Sequence, residues 1–171
     1  VYFTDNQTGW VVGRFGTILK TTNGGLNWIS QSVDHLYYLE SVHFIDNQTG
    51  WTVGSTGYVH TNIILKTTNG GLNWFSQYSG PSEYLKSVHF IDNQTGWAVG
   101  SNGMMLNTIN GGANWVTKSS GTSYHLESVH FTDNQIGWVV GYNGTILKTT
   151  NSGVNWMTQG ASILNNLNSV H

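Results

Sequence analysis

The chain has 171 residues, only 8% of them charged, and a formal net charge of −2. Arg14 is its one arginine, and Lys20, Lys66, Lys86, Lys118 and Lys148 are scattered, so no basic patch is available for nucleic acid or an anionic membrane; apolar runs also fall far short of the roughly 20 residues that span a bilayer. Cysteine is absent, which excludes a disulfide framework and thiol chemistry.

The chain opens at Val1 without an initiator Met or a signal peptide, in the middle of a recurring phrase, and is expected to be a mature or trimmed piece of something longer. Val1, Val42, Val88, Val129 and Val170 hold one position in that phrase, separated by 41, 46, 41 and 41 residues. A fixed period is read before anything else. Here it defines repeats 1-41, 42-87, 88-128 and 129-169, with a fifth starting at 170-171, and a single repeat domain over 1-171. The second copy carries a five-residue insertion around Tyr58 to Ile63.

Each repeat reads as four short strands, A to D. Strand A, Leu39 to Phe44 in the second copy, is apolar on alternate residues. The turn Asp46-Asn47-Gln48-Thr49-Gly50 has the Asx and Gly chemistry of a tight reversal. Strand B follows as Trp51-Thr52-Val53, or Trp10-Val11-Val12 in the first copy, apolar on both faces as a sandwiched strand should be. A Gly-flanked turn leads to strand C, Thr17 to Thr21 in the first copy. The octet Thr21-Thr22-Asn23-Gly24-Gly25-Leu26-Asn27-Trp28 makes the C–D hairpin, and strand D begins at Trp28. No window shows helical spacing, and Gly, Asn, Thr and β-branched residues dominate. Four strands in about 41 residues is the signature of a β-propeller blade. One blade cannot bury both of its faces, so neighbours must stack.

The octet resembles the Asp-box of BNR-repeat propellers. Thr21, Asn23, Gly25 and Trp28 fill its places, as do Thr67, Asn69, Gly71 and Trp74, then Thr108, Asn110, Gly112 and Trp115, then Thr149, Asn151, Gly153 and Trp156. The longer phrase, from Phe-x-Asp through Gly-Trp-x-Val-Gly to Thr-Ile-Leu-Lys-Thr-Thr-Asn-Gly-Gly, is similar to the photosystem II stability/assembly factor-like branch of that group. The resemblance implies an all-β propeller of four-stranded antiparallel blades, four in this chain, belonging to a larger ring or an assembly. It also implies that the box is a structural hairpin. Asn replaces the family's Asp in all four copies, yet keeps a side-chain oxygen for hairpin N–H groups.

Catalytic chemistry finds little support in the residues. A lone Arg14 cannot build the arginine cluster with which sialidases of this group grip a carboxylate. Other propeller glycosidases need two facing carboxylates; Asp5, Asp46, Asp92 and Asp133 belong to the A–B turn, Glu40 and Glu127 recur before strand A, and only Asp34 and Glu83 are idiosyncratic. The chain reads as a non-enzyme with no cofactor. His43, His89, His130 and His171 share one strand-A position, filled by Tyr2 in the first copy. They read as inter-blade hydrogen-bonding groups, with a metal site as the alternative. Asn6, Asn47, Asn93 and Asn143 open N-glycosylation sequons, though turn chemistry explains three of them equally well.

Variation among the copies separates two faces. The A–B turn and C–D hairpin scarcely change, whereas the B–C and D–A connections differ in every copy and hold the loose aromatics: Phe15, His35, Tyr37, Tyr38, Tyr58, His60, Tyr78, Tyr84, Tyr124, His125 and Tyr142. Such side chains can stack on sugars or anchor a protein partner. The expected role is a secreted or surface-exposed bacterial interaction scaffold, binding protein or self-associating through exposed end blades. A carbohydrate-binding propeller and an assembly factor of the periplasm or thylakoid lumen are the alternatives.

Overall fold

Strand-forming segments alternate with turn residues suited to reverse them, and the chain accordingly folds back on itself again and again. The computed structural model describes residues 1–31, 33–57, 61–80, 83–160 and 163–171. Its strands are β1 (Tyr2–Phe3), β2 (Gly9–Val12), β3 (Ile18–Thr21) and β4 (Ile29–Gln31); β5 (Tyr37–Phe44), β6 (Gly50–Thr56), β7 (Asn62–Thr67) and β8 (Phe75–Ser79); β9 (Leu85–Phe90), β10 (Gly96–Gly100), β11 (Met105–Thr108) and β12 (Val116–Thr117); β13 (Leu126–Phe131), β14 (Gly137–Gly141), β15 (Ile146–Thr149) and β16 (Met157–Thr158). They form four antiparallel sheets of four strands, each sheet one repeat in the order A-B-C-D. Two compact units result, Val1–Tyr84 and Leu85–His171, with two blades in each.

Strand D starts one residue later than the sequence predicts, at Ile29 in place of Trp28, and strand B one earlier, at Gly9 and Gly50; the larger departures share one reason. The insertion lengthens the B–C hairpin of the second blade, adding the pairs Gly54↔Ile63 and Ser55↔Asn62. The longer β6 then lets Tyr37 and Tyr38 pair with Thr56 and Ser55, so these tyrosines open β5 instead of lying in a loop. Tyr78 likewise sits in β8, opposite Ile64. Glu40, Lys86 and Glu127 are each skipped by the strand A register, a bulge that recurs in blades two to four. The polar residue at this place is thereby taken out of the pairing, and Leu39, Leu85 and Leu126 turn into the core.

The core of each unit lies between its two sheets and is organised by aromatic rings. In the first unit Trp10 of β2 stacks on Phe44 of β5, with centroids 3.6 Å apart and planes 11° from parallel. Phe44 in turn meets the octet residue Trp74 edge-on at 5.9 Å. The second unit repeats the series as Trp97, Phe131 and Trp156, with Trp97 to Phe131 at 6.1 Å and Phe131 to Trp156 at 5.8 Å. Gly50 pairs with Phe44 across β5 and β6, and a methyl group there would lie 2.5 Å from the Phe44 ring. Gly9, Gly96 and Gly137 stand in the same relation to Phe3, Phe90 and Phe131, which explains why strand B always starts Gly-Trp. Ile18, Leu39, Val42, Ile63 and Leu65 fill the first core; Val99, Met105, Leu126, Val129, Val139 and Leu147 fill the second.

The turns at one end of the strands are fixed internally. Thr67 Oγ1 accepts the Gly71 N–H at 2.9 Å and donates to Asn69 Oδ1, which also accepts the Asn73 N–H at 3.0 Å. The other three octets repeat this arrangement, so the Asn side-chain oxygen ties down the hairpin in all four copies. In the A–B turn Asp46 Oδ1 accepts the Gln48 and Thr49 N–H groups, and the Gly70 N–H donates to Gln48 O, joining hairpin to turn. Between blades one and two, Trp10 Nε1 and Lys20 Nζ both donate to Gly70 O, and Asn47 Nδ2 donates to Asp5 Oδ2. Backbone N–H donors hold the carboxyls of Asp5 and Asp133 below the ordinary range.

The strand A histidines sit at the seam between blades within each unit. Tyr2 packs on His43 with ring centroids 4.7 Å apart. In the second unit His89 to His130 measures 4.9 Å and His130 to His171 measures 6.4 Å. The Val129 N–H donates to Ser87 Oγ beside them, and the Val170 N–H to Ser128 Oγ. No group of three metal-binding side chains occurs among the described residues, and the rings meet across the seam. Burial, and secondarily the charge of His171, hold the His130 imidazole below its ordinary 6.5.

This packing can be tested by substitution. Gly50→Ala forces a methyl onto Phe44 and should cost about 1–3 kcal/mol; Thr67→Val strands the Gly71 N–H and should cost about 1–3 kcal/mol, both read from urea midpoints. Folded His130 binds its proton less readily than the unfolded chain does. Its contribution is therefore complete above about pH 6.5 and is lost as pH falls below it. The urea midpoint should drop as pH falls below about 6.5. His130→Tyr, which copies the first blade's Tyr2, should flatten that step; an unchanged step would contradict the assignment.

Candidate functional site

At the opposite end of the strands, the B–C turns of the first, third and fourth blades pack against the segment that follows their strand D. In the first blade the turn Arg14-Phe15-Gly16-Thr17 closes with the Thr17 N–H on Arg14 O at 3.2 Å. Phe15 and Gly16 both have positive φ, 57° and 65°, which is the type I′ geometry that suits an Asn-Gly pair. The third and fourth blades place Asn102-Gly103 and Asn143-Gly144 there, the asparagines each at 55°. Phe has no side-chain oxygen to compensate, and left-handed backbone costs an ordinary residue about 1–2 kcal/mol. Phe15 is thus strained, and it is also 69% exposed.

The strained turn forms one wall of a cleft in the first unit. Phe15, His35, Leu36, Tyr38 and Gly57 line a space of about 230 Å³. The Phe15 and Tyr38 rings meet at 87° with centroids 5.5 Å apart, and the Arg14 guanidinium lies 5.8 Å from the Tyr38 ring centre. Main-chain groups fix the walls: Gly16 N–H donates to Tyr37 O, Gly57 N–H to Leu36 O and Leu39 N–H to Gly13 O. The Leu36 N–H donates to Asp34 Oδ1, and the same carboxylate oxygen lies 3.7 Å from His35 Nδ1. Sequence reasoning misses Leu36 and Gly57; the cue for Gly57 is its place in the Gly-flanked turn.

In the second unit, the equivalent of Tyr38 is His125. Its Nδ1 accepts the Asn102 N–H at 3.0 Å, and its ring meets Tyr142 edge-on at 5.0 Å. An accepting Nδ1 carries no proton, so the neutral ring holds its proton on Nε2. Tyr124, 49% exposed, lines a 320 Å³ hollow with Thr122, Asn143 and Thr158 among others. The structure therefore gathers Phe15, His35 and Tyr38 in one cleft and His125 with Tyr142 in another place, near Tyr124. Tyr37 has its backbone in the first group, and Tyr84 is half-buried before β9. Tyr58 and His60 lie outside the described residues. Of the sequon asparagines, Asn6, Asn47 and Asn93 are exposed in A–B turns, and Asn143 is half-buried in a left-handed turn.

Known proteins share this architecture. A structure of YCF48 bound to D1 peptide has a TM-score of 0.58 at 16% identity, covering 92% of this chain and 80% of that one. YCF48 from Cyanidioschyzon merolae gives 0.67 at 16%, covering 94% of this chain and 59% of that one. An ancestral GH74 enzyme gives 0.71 at 19%, covering 92% of this chain but only 23% of that one. At these identities the likeness establishes the fold, a run of β-propeller blades. No curated protein sequence matches the chain. The family model of the photosynthesis system II assembly factor YCF48, however, matches residues 1–79 and 81–162, and on that match the chain belongs to the YCF48 family of BNR-repeat propellers.

Proposed function

We propose that this chain is a non-enzymatic interaction module that receives a polypeptide on the face formed by its B–C and D–A segments. The observation carrying this reading is the unequal use of the two ends of the strands. At the octet end, polar groups are tied into turns and hairpins. At the other end, Phe15, Tyr124 and Tyr142 are exposed, and large amphipathic rings of this kind anchor partners at low entropic cost. A YCF48 structure holding the D1 peptide supports a polypeptide as the ligand class, and supports assembly-factor function as one form of the role.

The non-enzymatic part of the reading rests on the carboxylates. Asp5, Asp46, Asp92 and Asp133 each accept two backbone N–H bonds within an A–B turn, which leaves few acids for the facing pair that glycoside hydrolysis requires. We place the protein outside the cytoplasm, secreted or on a bacterial surface, or in a periplasm or thylakoid lumen. No helix among the described residues is long and apolar enough to cross a membrane. Self-association through end blades is a second reading, favoured by Phe3, which is 41% exposed where Phe44, Phe90 and Phe131 are buried; a mass that rises with concentration in light scattering would support it.

Calorimetric titration with the D1 peptide tests the main reading. Saturable binding is expected, weakened at least tenfold by replacing Tyr38 and Tyr84 of the first unit, or Tyr124 of the second, by Ala, and unaffected by Asn69→Asp in the octet. Binding that ignores the three tyrosines, or that the octet variant abolishes, would overturn the choice of face.

A further inference from the structure

Phe15 is out of keeping with its position. In the same turn the third and fourth blades use Asn-Gly, which adopts the required left-handed backbone readily, whereas the first blade holds a bulky aromatic at φ 57° and leaves it exposed. Strain retained at one copy of a repeat points to a role for the side chain, and the ring's surroundings indicate which role. Phe15 and Tyr38 stand at 87° to each other and form a corner of apolar faces. The backbone N–H groups of Gly16, Leu36 and Gly57 already have acceptors, so the cleft offers little main-chain recognition to an extended peptide. What remains is side-chain chemistry of mixed kind: the Tyr38 hydroxyl and His35 imidazole of the lining can donate or accept, and beside them stand Arg14, a donor 5.8 Å from the Tyr38 ring centre, and Asp34, an acceptor whose Oδ1 already takes the Leu36 N–H. Among the described residues Arg14 has no carboxylate partner.

We infer that this cleft is a binding site for a single neutral pyranose ring. A sugar presents a C–H face for the aromatic corner together with hydroxyls that both donate and accept, matching Arg14 and Asp34 at once. The volume of about 230 Å³ lies below the ~300 Å³ at which drug-sized ligands begin, which limits the site to one ring, at the end of a glycan or alone. Phe15 and Tyr38 also belong to the face proposed to receive a polypeptide; the D1 titration reads that role and the glycoside titration this one, so either can fail while the other stands.

Saturation-transfer NMR with methyl glucoside, methyl galactoside and methyl xyloside tests this, with decaproline as the competing class. At least one glycoside should bind the unmodified chain with a Kd of order 1 mM. Phe15→Asn should weaken that binding at least tenfold while raising Tm by about 2–4 °C through relief of the turn, so lost binding cannot be ascribed to unfolding. Tyr38→Ala should weaken it similarly. The inference is overturned if none of the three glycosides binds, if binding survives Phe15→Asn, or if decaproline alone binds in a Phe15-dependent way.

Discussion

The contact between a strand B tryptophan and the strand A phenylalanine of the following blade is what the rest of this structure depends on. Trp10 on Phe44, and Trp97 on Phe131, join two sheets that could not otherwise bury their faces. The contact imposes its own sequence. Phe must lie flat over strand B, which demands Gly at the paired position, and its far edge must meet a second aromatic, which fixes the octet Trp. The lysines of strand C complete the arrangement: Lys20, Lys66 and Lys148 lie 4.7 to 5.1 Å from the ring centres of Trp10, Trp51 and Trp138, a distance at which cation–π attraction operates. Asn107 faces Trp97 instead, and the second unit has the wider ring stacking.

That constraint also divides the molecule by role. A Phe and a Trp set by blade packing require the A–B turn and the octet to be placed alike in each copy, and the hydrogen bonds found there are copied four times. The B–C and D–A segments are under no such demand. Their main chains still interlock, since Gly16 and Gly144 donate to the same place in the following segment, Tyr37 O and Asn165 O. Their side chains are free to differ, and they range from Phe15 and Tyr38 to His125 and Asn166. Constancy at one end and licence at the other both stem from where the rings stack.

Much of this is legible in the residues. The period, the four strands per repeat and the structural octet all rest on local chemistry that recurs: turn formers at fixed offsets and apolar alternation between them. What is not legible depends on register. Nothing local shows that the insertion lengthens β6 and β7 and draws Tyr37 and Tyr38 into β5, because that depends on pairing across the hairpin. The histidines show the same limit. One position shared by His43, His89, His130 and His171 points to hydrogen bonding across the seam or to nitrogen ligands, whereas the tilted contact of Tyr2 with His43 and the edge-on contact of His89 with His130 depend on how the sheets meet. The strain at Phe15 is hidden too, since it emerges only when the turn is seen to be type I′ and Phe is found where Asn is at home.

The central claim is that one end of the strands holds the fold together and the other is available to a partner. Amide chemical-shift mapping during titration with the D1 peptide tests it most directly, because every backbone N–H reports at once. The account predicts shifts concentrated at the B–C turns and the segments before strand A, around Phe15, Tyr38, Tyr124, His125 and Tyr142, with the octet amides of Gly25, Gly71, Gly112 and Gly153 unmoved. Shifts centred on the octets and A–B turns, with the aromatic face silent, would contradict it.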